Sequence, residues 1–433
     1  MGIDYDFDVI VVGAGVAGST AAFLLAQRGH EVLLAERGGE PGEKNLSGGV
    51  FYSRVMDEIF EGFSVSAPVE RRISRNILTL LNADSAVSLD YWDSRLADSG
   101  NAFSVLRARL DPWLAEQAEE AGVTLMSGVK VDELVLNDSG AVCGIRAGED
   151  VLHAKVVVLA DGINSFLARG AGLRSAPAPV TLGVGVKSVV RIGTDAVSQR
   201  FGVSDDDGAA YAIVGDATKG VPGGAFLYTN KDSVSLGIVV NVEDLAKSEH
   251  SAVELHDHLV NHPFVQPLLA GGELLEYGTH LVAEGGQKMV GQIAFDGAVI
   301  VGDAAGFTIN NGFAIRGMDL AAESARCAAL AVHDALEAED YSVNALKAYE
   351  RNVADSWLGK DMETFKKAPD FLATTPQMYG QIGEYAADVL HGVYNMDLTP
   401  RRRIVSLALA MLKKSPLSAW QLLKIVRKAK GAL

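Results

Sequence analysis

DVIVVGAGVAGSTAAFLLAQRGHEVLLAER, residues Asp8–Arg37, runs strand, glycine turn, helix and second strand without a break. Val9–Val12 is the short continuous apolar run of a strand buried on both faces of a parallel sheet. Gly13-Ala14-Gly15-Val16-Ala17-Gly18 follows at once. Gly13 permits the tight turn, Gly15 lets backbone N–H groups approach a pyrophosphate, and Gly18 lets helix and strand pack closely. The phosphate would then rest on a helix N-terminus, where unpaired N–H groups and the helix dipole favour anions. A second apolar run, Glu31–Ala35, ends at Glu36-Arg37, with a carboxylate suited to a ribose 2′-hydroxyl. A glycine triplet alone is a weak signal. Strand, helix, second strand and acid in register make it a dinucleotide site, with NAD and FAD both open at this point.

Working outward, Gly38–Gly49 is a glycine-rich loop containing Lys44-Asn45-Leu46-Ser47-Gly48-Gly49. Its composition suits a solvated loop, but its place directly after the acid favours a fold over the cofactor. Val105-Leu106-Arg107-Ala108-Arg109-Leu110 leads to Asp111, a helix N-cap candidate, and to a helix expected over Pro112–Ala121. Arg107 and Arg109 read either as surface charges or, for Arg107, as a pyrophosphate partner. Val156–Ala160 is another buried strand running into Asp161-Gly162, and Gly297–Val301 runs into Gly302-Asp303-Ala304-Ala305-Gly306. An aspartate at a strand end offers its carboxylate to a polyol hydroxyl. The glycine-rich approach through Gly312-Phe313-Ala314 to a helix from Met318 to about Glu337 offers N–H groups to an electron-rich ring edge. Residues 76–92 and 176–290 lose the strand-helix rhythm and read as antiparallel strands.

The chain has 433 residues, 48% hydrophobic, enough for a sizeable core. Its net charge of −17 argues against nucleic acid as a partner. That charge is uneven: residues 401–433 carry nine basic and no acidic residues, leaving 1–400 at −26. Two short apolar segments, around Ile404–Leu412 and Leu417–Val426, are interleaved with those bases and too short to span a bilayer. They suit helices lying in the headgroup plane, or docked on an acidic partner subunit. Cys143 and Cys327 are the only cysteines, too few for a disulfide framework, an iron–sulfur cluster or structural zinc. A cytoplasmic protein is expected, with no signal-type segment before the first strand. His256, His258 and His262 could mimic a metal triad, but without an HExxH glutamate they read as an ordinary helix face, and no metal site is expected.

Gly13–Gly18 with Glu36, Asp161-Gly162 and Gly302-Asp303, in this order, resemble the three FAD motifs of the class that includes aromatic hydroxylases and geranylgeranyl reductases. Within that class the chain resembles the FixC family, similar to electron-transfer-flavoprotein:quinone oxidoreductases. The matching text is Lys44–Gly49, Ser104–Arg109 through Trp113-Leu114, Gly312–Leu320, Thr364–Pro369 and His391–Tyr394. The resemblance implies an α/β, Rossmann-like, glutathione-reductase-like FAD domain with an inserted antiparallel-sheet domain and a C-terminal helical region. The expected partition is 1–75, 100–175 and 291–345 for the FAD domain. Residues 76–99 and 176–290 would form the inserted domain, and 346–433 a basic membrane- or partner-binding region. It also implies electron flow from an electron transfer flavoprotein (FixAB-like) to a quinone at the inner face of the cell membrane. With two cysteines, the chain cannot hold the ferredoxin domain of the larger quinone oxidoreductases, so the resemblance implies a separate FixX-like ferredoxin. Such transfer demands no catalytic acid, base or nucleophile. A prenyl reductase using NAD(P)H and an FAD-dependent aromatic hydroxylase are the rival readings.

Overall fold

A computed structural model describes residues 3–45, 48–98 and 100–433. The chain enters through β1 (Phe7–Val12), helix α1 (Val16–Ala26) and β2 (Val32–Ala35). Next come β3 (Gly49–Phe51), β4 (Arg72–Leu81), β5 (Ala86–Trp92), β6 (Phe103–Val105) and helix α2 (Arg107–Glu120). β7 (Thr124–Met126), β8 (Glu133–Leu136), β9 (Val142–Ala147) and β10 (Asp150–Leu159) return the chain to the first strand. β11 (Leu182–Arg191), β12 (Asp207–Gly215), β13 (Gly223–Thr229), β14 (Ser233–Asn241), α3 (Ala252–Asn261) and β15 (Glu273–Ala283) then build a second layer. β16 (Ala294–Phe295), β17 (Ala298–Ile300) and α4 (Met318–Glu337) close the first one. Helices α5 (Gln381–Tyr394), α6 (Ile404–Lys414) and α7 (Ala419–Ala429) end the chain.

One physical fact positions the site. β10, β1 and β17 are neighbours in one sheet, in the order β16-β17-β10-β1-β2-β7, and the pairs β17–β10, β10–β1, β1–β2 and β2–β7 are parallel. Val12 lies opposite Leu159, and Leu159 opposite Ile300. The glycine turn, Asp161-Gly162 and Gly302-Asp303 therefore emerge side by side at the carboxyl edge, where open α/β sheets bind ligands. Val9, Ile10, Val11, Val156–Leu159 and Val299–Ile300 are fully buried. Each contributes roughly 1.5–3 kcal/mol of burial.

Two glycines are obligatory there. Gly13 has φ +103°, and a Cβ on it would stand 2.5 Å from the Ala160 carbonyl oxygen. A Cβ on Gly18 would stand 1.8 Å from the Gly13 oxygen, so no side chain fits between α1 and the turn.

The second sheet runs β15-β11-β14-β13-β12-β4-β6-β3, with β5 on β4. It is mixed and not wholly antiparallel as expected: β12 runs parallel to β4 from Asp207↔Arg72 to Gly215↔Leu81. A parallel pair needs a crossover connection, and here much of the first layer lies between the two strands in sequence. β3 and β6 belong to this sheet, although they are embedded in 1–75 and 100–175. One face packs on α3, with Leu255 and Leu259 against Val186 and Ile238. His256, His258 and His262 bond separately, to Ser188 Oγ at 3.0 Å, Asp216 at 2.5 Å and the Asn82 carbonyl at 2.8 Å.

Helix α2 begins five residues earlier than expected. Asp111 lies inside it and Pro112 in its second turn. Asp-Pro looks like a cap, but Asp111 is instead spent on Arg107 (2.6 and 2.7 Å) and on Asn45 Nδ2 (2.6 Å). Those charge-assisted bonds offset the one backbone bond that proline forgoes.

Candidate functional site

Glu36 sits at the end of β2 and accepts from Ala14 N–H at 2.9 Å and Gly38 N–H at 2.6 Å. Its carboxylate thus joins the glycine turn to the loop that follows. Helix α1 starts at Gly15 with no side chain capping it, and Arg107 stands directly over that turn. A Cβ on Gly15 would meet Arg107 Nη2 at 3.2 Å. Arg107 therefore brings a fixed cation to the first turn of α1. Ala17 packs where a Cβ on Gly302 would touch its own, at 2.8 Å, which locks the first and third motifs together.

Gly302 has φ +60° and its N–H donates to Ser324 Oγ at 2.9 Å. Asp303 opens onto the cleft while protein surrounds it elsewhere. That desolvation pushes its carboxyl up, and Arg107 and His280 pull it back. Asp161 is pushed up by burial too; its Oδ2 accepts from Leu167 N–H at 3.2 Å, and its Oδ1 is buried with no partner among the described residues. Gly162 has φ +74°. Helix α4 begins at Gly317 beside Asp303, again with no side-chain cap.

Other expected residues are placed differently. The N–H groups of Gly312, Phe313 and Ala314 are engaged by Asn310 and Asn311 side chains at 2.9–3.0 Å, which shape the loop and leave those donors less free. Arg316 anchors the same loop to Asp319 at 2.7 Å and Asp361 at 2.6 Å. Lys44 is half exposed and pairs with Glu43 at 3.4 Å. Arg37 is exposed, and its charge reaches His280. Gly48 has φ +64° and its carbonyl accepts from Lys187 Nζ; Gly49 starts β3. Ser47 lies outside the described residues.

Four site residues went unread in the sequence. Lys187 and His280 come from the second sheet, and alternation puts both on the face toward the cleft. Lys187 is flanked in register by Gly237 and Gly278, which leaves it room. Burial pulls its ammonium down to about 7, Glu276 opposing and Arg107 adding to that shift. Burial also lowers His280. Arg174 donates to the carbonyls of Ala304, Ala305 and Met289 and pins the turn after Asp303. The fourth, Glu284, stands at the end of β15. A lysine at the centre of the apolar run Val180–Ile192 was the one available signal; the others had none.

Beside this cleft lies an apolar cavity of about 540 Å³. Tyr52 just after β3 and Leu78, Ala212, Phe226 and Tyr228 of the second sheet line it, with Gly312–Ile315 at one side and Pro369, Leu372 and Tyr379 at another.

A glycine turn, an acid on its second strand, an arginine over the turn and an orphaned aspartate oxygen at the adjoining strand end fit a flavin dinucleotide. The FAD binding domain family matches residues 6–260. The probable electron transfer flavoprotein-quinone oxidoreductase YdiS of Escherichia coli K12 is 43% identical over 412 residues, 95% of this chain and 96% of that one. Protein FixC of the same strain is 41% identical over 392 residues, 90% and 91% of the two chains. A geranylgeranyl bacteriochlorophyll reductase-like protein of Thermoplasma acidophilum superposes with a TM-score of 0.69 at 20% identity, over 99% of each chain. That last likeness carries the fold alone. The protein is an FAD-dependent oxidoreductase of the FAD binding domain class. Within that class the chain belongs to the family of FixC and the probable electron transfer flavoprotein-quinone oxidoreductases.

Proposed function

We propose that this oxidoreductase takes electrons from an electron transfer flavoprotein and delivers them to a quinone. It would act as the FixC-type subunit of a FixABCX-like complex, with a FixX-like ferredoxin beside it. We also read its nucleotide fold as glutathione-reductase-like. The supporting observation is the apolar cavity, bounded on one side by the Asn310–Ile315 loop next to Asp303 and on another by segments that lead into the basic C-terminal helices. Bound FAD accepts and returns one or two electrons. The chain's part is to hold and orient it. The uncapped first turn of α1 and Arg107 would take the diphosphate, Glu36 a ribose, and Asp303 the ribityl chain. Asp161-Gly162, Lys187 and the Gly48–Gly49 segment would border the ring.

The same reading puts the protein on the cytoplasmic face of the membrane. Among the described residues no helix is long and apolar enough to cross one. In α6 and α7, however, Ile404, Val405, Leu409, Trp420, Leu423 and Val426 are all exposed. Arg401–Arg403, Lys413, Lys414 and Lys424–Lys430 surround them. α6 is anchored to α5 by Leu407 on Gly392 and by Tyr385 Oη donating to the Ala408 carbonyl at 3.3 Å, and in α7 Lys428 Nζ donates to Thr374 Oγ1 at 3.3 Å. Basic residues near an anionic surface contribute about 1 kcal/mol each, and the apolar row adds burial. In liposome flotation the protein is expected to rise with anionic vesicles at low salt. The triple variant Trp420→Asp, Leu423→Asp, Val426→Asp should stay at the bottom. Equal behaviour of the two would remove the membrane surface from the reading.

A further inference from the structure

Glu284 follows β15 on the cleft side of the second sheet and lines the apolar cavity. Its place is fixed from both sides. Its own N–H donates to the Thr181 carbonyl at 2.9 Å, and the carbonyl of Ala283 just before it accepts from Thr308 Oγ1 at 3.0 Å. Thr308 leads directly into the Asn310–Ile315 loop, so the backbone that carries Glu284 is tethered to the segment that borders the flavin cleft. The carboxyl group lies flat over Gly183, where a Cβ would come within 2.8 Å of Glu284 Cδ.

No structural duty accounts for this acid. Among the described residues its carboxyl makes no hydrogen bond and no ion pair, whereas a half-buried carboxylate with a structural role is paired. The charged and titratable groups around it are otherwise occupied. Lys288 pairs with Asp370 at 2.5 Å, Asp244 lies 3.8 Å from Lys247, and the Tyr379 hydroxyl donates to the Leu372 carbonyl at 3.0 Å. Burial raises Glu284 to about 7, with no neighbouring charge opposing it.

We propose that Glu284 is the acid that protonates the acceptor's carbonyl oxygen inside the cavity, an inference that rests on the quinone reading above. Reduction of a quinone to its quinol takes two electrons and two protons. The electron pair and one proton come from the reduced flavin. The second proton comes from Glu284: its O–H bond breaks, an O–H bond forms on the quinone oxygen, and water at the cavity mouth returns a proton to the carboxylate. A general acid of this kind contributes about 10²–10⁴-fold.

The test uses the full-length flavoprotein, photoreduced without oxygen and mixed with a short-chain benzoquinone or naphthoquinone. Wild-type reoxidation should be fastest at low pH and decline as pH rises through about 7, because only the protonated carboxyl donates. Glu284→Gln should be at least about 100-fold slower at low pH and lose that slope. Flavin content and melting temperature report that the variant is folded. Independently of turnover, infrared titration of the wild-type protein should show a protonated carboxyl band that disappears near neutral pH and is missing in Glu284→Gln. A variant with wild-type rates and slope, or a wild-type spectrum without that band, overturns the role of Glu284 while leaving the quinone reading standing. A wild-type flavin that no quinone reoxidises overturns both.

Discussion

Arg107→Leu is expected to weaken FAD binding by about 10- to 150-fold, the loss of a charge-assisted hydrogen bond worth about 1.5–3 kcal/mol. Among the described residues the guanidinium is the one cation set over Gly15 at the start of α1. It is oriented by both oxygens of Asp111, whose side chain is fully buried. Removing the arginine also leaves Asp111 with Asn45 as its remaining side-chain partner. A buried carboxylate stripped of its cation costs about 3–5 kcal/mol of stability. The two effects separate experimentally. Fluorescence titration of the apoprotein gives the affinity, and melting with and without saturating FAD gives the stability. Arg107→Lys should fall between, keeping the charge and losing the fork. An FAD affinity equal to wild type in Arg107→Leu would mean that the diphosphate lies elsewhere.

The second large effect concerns the cavity. Ala212 sits on β12 between Phe226 of β13 and Leu78 of β4, facing the space the acceptor would occupy. Ala212→Trp fills that space without touching the nucleotide turn, Glu36 or Asp303. FAD content should hold while reoxidation of the reduced flavin by quinone falls about 100-fold, as expected when a reactant is displaced by an ångström or more. Stopped-flow absorbance of the flavin reads it directly. Unimpaired quinone reduction in that variant would place the acceptor outside the cavity.

What the sequence showed and what it hid divide along a physical line. β1, its glycine turn, α1 and Glu36 were legible because one contiguous stretch encodes them and the turn's geometry admits only glycine. Met318–Glu337 was legible from its alanine-rich run after a glycine approach, and the two tail helices from short apolar segments flanked by basic residues. Lys187, His280 and Glu284 were not, since strands far from the motifs bring them to the cleft only when the second sheet folds over the first. For the same reason the parallel pairing of β12 with β4 was out of reach: alternation marks strands and says nothing of their direction. The misplaced start of α2 is the instructive case. A local signal, Asp111-Pro112, was outweighed by the tertiary demand that Asp111 hold Arg107 and Asn45. The loop N–H groups of Gly312–Ala314 were read as donors to a ring edge, but Asn310 and Asn311 already take those donors.

If electrons enter from a flavoprotein and leave to a quinone, as proposed, the choice of donor tests it most directly. The purified yellow protein should be bleached within seconds, without oxygen, by a reduced electron transfer flavoprotein, and only marginally by NADPH or NADH. Rapid bleaching by NADPH alone, with no response to the reduced flavoprotein, would contradict it.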